Sequence, residues 1–167
     1  YLKDLGISAE IAAWSLALIG FFNILGSFIW GALGGKFSKK YLLAGLYMMR
    51  SICIIVYLLL PITNLSTIIF AALMGLTWLG TIPLTSGLVA QIFGTQYLAT
   101  LYGFVFLSHQ MGSFIGITLG GFIRDWSGSY DPIWWIAIGL GFVAVFVHWP
   151  IDENPVTRQQ ILQTKPS

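Results

Sequence analysis

Two side chains able to carry positive charge stand inside long uncharged runs. Arg50 is followed by no Asp, Glu, Lys or Arg until Arg124, and His109 lies within that interval. A guanidinium stays ionised and presents its donors in a planar fork that matches a carboxylate. An imidazole can donate, accept or carry a proton near neutral pH. Gln110 stands beside the histidine, and Asn23, Trp78 and Gln91 are further polar groups in apolar surroundings. Such a set can bind a small solute, and its charge favours an anion. Each residue also has a structural reading: Arg50 snorkels or bonds to free carbonyls, His109 joins two helices, and Asn23, Trp78 and Gln91 pack or act as helix glue.

Only 8% of the 167 residues are charged, while 57% are hydrophobic. A soluble domain carries about 25% charged residues to face water. The surface of this chain must therefore meet lipid, as its mean hydropathy of +0.83 also implies. Crossing a bilayer takes about 20 apolar residues, and charges and turn residues divide the chain into five such spans, near 11–33, 41–60, 65–93, 100–123 and 133–149. Pro61-Ile-Thr-Asn64, Gly94-Thr-Gln96 and the polar stretch Arg124–Pro132 are the breaks. Residues 1–150 form one all-α bundle in this reading, and 151–167 form a tail. Arg50 falls near the middle of its span, where a charge is costly and marks a functional position by default. The spans contain no Asp or Glu. A counter-ion for Arg50 must then come from a bound anion or from sequence outside this chain.

Lys36, Lys39, Lys40, Arg158 and Lys165 collect on one side of the five spans, and Lys3 and Arg124 on the other. Basic loops stay inside, so the Lys36–Lys40 loop and the C-terminus are expected in the cytoplasm, with the bundle in the plasma (inner) membrane. Rings at span ends, Tyr57 and Trp149 among them, read as interfacial anchors. Gly112, Gly116 and Gly120 recur every four residues, a spacing that lets helices touch closely in lipid. The third span carries Gly75, Gly80, Pro83 and Gly87 among hydroxyl residues and can bend. Cys53 is the single cysteine, too few for a disulfide or a thiolate metal site. No cofactor, metal or nucleic-acid partner is expected; lipid and a small solute are. Ser86 and His109 lack both a nucleophile elbow and an orienting acid, so the chain reads as no enzyme. The opening Tyr1-Leu-Lys-Asp4 has neither an initiator Met nor a basic leader and reads as a cut through a longer protein.

These residues resemble the major facilitator superfamily. Gly31-Ala-Leu-Gly-Gly-Lys-Phe-Ser-Lys-Lys40 resembles its loop motif G-x-x-x-D-R-x-G-R-K, with Gly31, Lys36, Lys39 and Lys40 keeping the pattern. Gly35 and Ser38 replace the acid and the second glycine. Leu101-Tyr-Gly103, Phe106–Gly116 and Gly120–Asp131 resemble the last spans of carriers similar to the monocarboxylate and oxalate–formate branches. The resemblance implies spans eight to twelve of a twelve-span fold, part of its second six-helix half. It further implies that spans one to seven are a missing partner from the same protein. The implied activity is alternating-access transport, and the implied solute is a small organic anion such as a monocarboxylate. Arg50 and His109 would supply its positive contacts, because Asn23 and Ser27 stand where the monocarboxylate carriers have an Asp and an Arg. The Lys36–Lys40 loop would gate the cytoplasmic side. A carrier of a non-anionic solute and a non-transporting scaffold subunit are the other readings.

Overall fold

A computed structural model describes residues 1–156. Six helices follow one another: α1 (Ala9–Gly34), α2 (Lys39–Leu59), α3 (Asn64–Trp78), α4 (Thr81–Phe93), α5 (Leu98–Ser127) and α6 (Asp131–His148). There is no strand among the described residues. Arg158 and Lys165, counted above toward the cytoplasmic side, lie outside the described residues.

Local chemistry sets most of the ends. The Ser8 hydroxyl accepts the Ile11 N–H at 3.3 Å and caps α1. Thr63 and Ser66 bond reciprocally across the start of α3, at 2.8 and 3.2 Å, a capping box that satisfies two otherwise free N–H groups. Gly128 closes α5 in the left-handed region at φ 73°, where a side chain would be strained. The Arg124–Pro132 stretch is thus shorter as a turn than the sequence suggests: α5 runs on to Ser127, and Pro132 already sits in the first turn of α6.

Two of the five expected spans change. The third is two helices, α3 and α4, meeting at Leu79–Gly80. Pro83 has no N–H to give the carbonyl of Leu79, four residues back, and that carbonyl accepts from Ile82 instead at 3.0 Å. Taken together, Asn64–Phe93 still has the length and apolarity to cross a bilayer, as do α1, α2 and α6. The fourth span, α5, has the length with 30 residues. It is less apolar than those four, with Ser108, His109 and Gln110 in its middle.

Helix α1 lies along α3, and α2 lies along α6 while touching α3 and α4. Two small apolar clusters hold the assembly. Leu43 and Leu46 of α2 meet Leu84 and Leu88 of α4. Ile54 of α2 meets Met74 of α3 and Ile138 of α6. Tyr57, expected as an interfacial ring, is buried instead: it stacks on Phe70 at 4.1 Å and its hydroxyl lies 3.0 Å from that of Thr67.

Among the described residues, close helix contact falls on glycines outside the Gly112–Gly116–Gly120 run. A Cβ on Gly26 would overlap the backbone of Leu76, and one on Gly75 would stand 2.6 Å from the Ile19 carbonyl oxygen. A Cβ on Gly141 would overlap the Ser51 hydroxyl, where α6 crosses α2. Among the described residues nothing lies within 4 Å of a Cβ on Gly112 or Gly116, and one on Gly120 would meet only Ile133, at 3.9 Å. The reason is geometric: α5 touches the bundle mainly along α4 and α6 and buries none of its residues among the described ones.

Candidate functional site

The helix break at Leu79–Gly80 is where the polar groups of three elements converge. Ending α3 there frees its last carbonyls, and starting α4 frees N–H groups. In a bilayer such groups must find partners within the protein, since each unsatisfied one costs several kcal/mol. The indole N–H of Trp30, from α1, donates to the Leu76 carbonyl at 3.0 Å. Arg50, from α2, donates through Nη2 to the carbonyls of Thr77 and Trp78 at 2.5 and 2.6 Å. Asn23, from α1, accepts the Leu79 N–H on its Oδ1 at 3.2 Å. The Thr81 hydroxyl donates to the Trp78 carbonyl at 3.2 Å. Gly80 leaves room for the Trp30 ring, which a Cβ there would overlap.

Arg50 therefore sits at the C-terminus of a helix, where the macrodipole concentrates about half a negative charge. The guanidinium also lies 5.2 Å from the Tyr47 ring, a cation–π arrangement. Its Nε is buried with no partner among the described residues. The sequence left two sources for the counter-charge, an anion or distant sequence. The structure supplies a partial third one, the carbonyls at the end of α3. Three expected site residues, Arg50, Asn23 and Trp78, meet at this joint, although Trp78 takes part through its carbonyl and leaves its ring half exposed. Trp30 was missed. Its only sequence signal was an aromatic residue near a span end, which reads as an anchor.

His109 and Gln110 are not brought to the joint. Both lie exposed on α5, and the histidine ring is 6.2 Å from that of Phe106 on its own helix. Two cavities flank the bundle, about 390 Å³ between α2 and α3 and about 760 Å³ among α1, α3 and α6; neither is lined by any of the five predicted solute contacts.

The Lys36–Lys40 loop forms a second polar cluster at the start of α2. Lys39 Nζ donates to Gln91 Oε1 at 2.7 Å, and Gln91 Nε2 donates to the Glu153 carbonyl at 3.0 Å. The Glu153 carboxylate accepts the Lys40 backbone N–H at 2.7 Å, while Lys40 Nζ donates to the Ile151 carbonyl at 2.7 Å. Glu153 thus caps the start of α2, where Ser38 makes no capping bond and the helix dipole favours a negative charge. A Cβ on Gly31 would stand 3.6 Å from that of Pro83, an ordinary contact, and Lys36 bonds through its backbone N–H to the Leu33 carbonyl at 2.9 Å. Glu153 was not predicted; an acid just beyond the last span and a loop lacking its own acid at Gly35 were the available signals. At the opposite end of the bundle, Arg124 bonds Asp4 at 2.9 Å, and that bond raises its pKa above the ordinary arginine value.

Residues 1–166 match the model of the Major Facilitator Superfamily. The chain belongs to that family. It is 29% identical over 136 residues to an uncharacterized MFS-type transporter, YcxA, of Bacillus subtilis (strain 168), covering 78% of this chain and 33% of that protein. It is 24% identical over 141 residues to monocarboxylate transporter 12-B of Danio rerio, covering 82% of this chain and 29% of that protein. The chain thus spans about a third of the length of these curated relatives. No solved structure matches it. Family and apolar helices together make it a multi-pass membrane protein of a transporter superfamily, in contact with lipid.

Proposed function

We propose that this chain is part of a secondary active transporter that carries a small organic anion, such as a monocarboxylate, by alternating access. The observation that carries the reading is the incomplete neutralisation of Arg50. Its partners are helix carbonyls worth about half a charge, and no carboxylate stands in any of the spans. The residual positive charge, in a medium that screens poorly, favours an anion. The name of the Danio rerio relative, a monocarboxylate transporter, adds support for a carboxylate. Asn23 and Trp78 flank the guanidinium in this reading; His109 and Gln110 join them only in a conformation that brings α5 inward. Spans outside this chain would form the other wall of the path. The Lys36–Lys40 loop and the C-terminus face the cytoplasm, on the positive-inside rule.

The test is uptake of labelled monocarboxylates by the full-length protein, comparing wild type with Arg50→Ala and Arg50→Lys at equal surface expression. Removing one partner of a desolvated charge pair costs about 2–5 kcal/mol, a loss of roughly thirty-fold or more in affinity. The lysine variant should recover part of it. Unchanged uptake and KM in Arg50→Ala would remove the arginine from the solute site. A second reading is favoured by the two bonds that already engage Nη2: Arg50 is purely structural and the solute is uncharged. Stronger competition by amides than by the matching carboxylates would select it.

A further inference from the structure

The joint between α3 and α4 carries an inference that rests on the transport reading only for its place in the cycle. We propose that Leu79–Gly80 is a hinge, and that Asn23, Trp30 and Arg50 form a clasp that holds it in the shape seen here.

The backbone is weak at this point for a stated reason. A helix resists bending through its ladder of i to i−4 bonds, and Pro83 deletes one of the rungs that would cross the joint. What replaces the ladder is lateral. The Leu76, Thr77 and Trp78 carbonyls and the Leu79 N–H are held by side chains of α1 and α2, at 3.0, 2.5, 2.6 and 3.2 Å. Inside a bilayer water does not stand in for these partners, so the bonds must be exchanged for others when the joint bends. That makes two discrete arrangements more stable than a continuum between them.

Packing divides at the same place. α3 is tied to α1 by backbone contact at Gly26 and Gly75, and its Met74 belongs to the cluster with Ile54 and Ile138. α4 belongs to the other cluster, through Leu84 and Leu88 against Leu43 and Leu46. Both clusters stand on α2, with Leu43 and Leu46 toward its start and Ile54 toward its end, so a bend at Leu79–Gly80 pivots α3 against α4 along that shared helix. Trp30 touches both sides of the joint, bonding the Leu76 carbonyl and filling the space that Gly80 leaves.

The test uses the full-length protein in vesicles, with Leu79→Cys as reporter and Cys53 and any other thiols replaced by Ser. Labelling by N-ethylmaleimide is followed with the clasp intact and in Asn23→Ala, Trp30→Phe and Arg50→Gln. Trp30→Phe keeps a ring against Gly80 and deletes only the indole N–H, and monodisperse elution confirms the fold of each variant. Loss of one net hydrogen bond corresponds to about a five-fold change in the opening equilibrium. Labelling faster by about that factor, or more, supports the clasp. Equal rates in every folded variant overturn it. A second arm bridges Leu79→Cys and Ile82→Cys, neighbours across the joint, with a short bis-thiosulfonate that forms a reducible disulfide to each thiol and releases two sulfinates. Uptake that stops on bridging and returns on reduction supports the hinge; uptake that continues in the bridged protein overturns it. If the transport reading itself fails, no uptake is seen before bridging, and the labelling arm decides the clasp alone.

Discussion

Substituting Gly75 with Ala tests whether α1 and α3 meet backbone to backbone. The added Cβ would stand 2.6 Å from the Ile19 carbonyl oxygen and 2.9 Å from Ile19 Cα, where ordinary contact begins near 3.4 Å. The two helices must part by about 0.8 Å, because a backbone oxygen has no rotamer to move to. A gap of 0.5–1 Å forfeits a quarter to a half of each dispersion contact it opens, and in lipid those contacts are much of what holds helices together. Overpacking costs about 1–3 kcal/mol, and the rigid partner places this site toward the upper end, or roughly 100-fold in the folded-to-unfolded ratio. The assay is thermal loss of the monodisperse peak of the full-length protein in detergent. Gly45→Ala is the control, since among the described residues nothing lies within 4 Å of a Cβ there. Equal melting of the Gly75 variant and wild type, with Gly45→Ala also unchanged, would refute the close α1–α3 contact.

Two further substitutions probe the ends of α2. Tyr57→Phe deletes the hydroxyl that pairs with Thr67 at 3.0 Å in a buried setting; the stranded partner should cost about 1–3 kcal/mol, read as a lower melting temperature that a Thr67→Val companion partly restores. Glu153→Ala removes the acceptor for the Lys40 N–H, and loss of a cap costs about 1 kcal/mol. Trypsin should then cut faster at Lys39 and Lys40, whereas Glu153→Gln, which keeps an acceptor oxygen, should stay near wild type.

Much of this molecule was legible in its sequence because lipid leaves the chain few choices. Too few charges to face water forces helices, and the spacing of charges and turn residues then places them, so α1, α2 and α6 fall close to their expected limits. Proline and glycine chemistry also signalled that the third span could bend, and Pro83 is the residue that breaks it. The motif residues of the Lys36–Lys40 loop pointed to the family that residues 1–166 match.

What the sequence could not decide is which polar groups meet. Arg50 and Thr77 are 27 positions apart, Trp30 and Leu76 are 46, and Lys40 and Glu153 are 113. No period or motif encodes those pairings, because each follows from how helices rotate and stack. The same limit explains the glycines. A G-x-x-x-G spacing marks a face that permits close approach, but only the packing selects the face that is used, among the described residues that of Gly26 and Gly75. The sequence by itself determined an arginine midway along an apolar run, with no acid in the spans to pair with it. The tertiary structure decided that it finds the open end of a broken helix first.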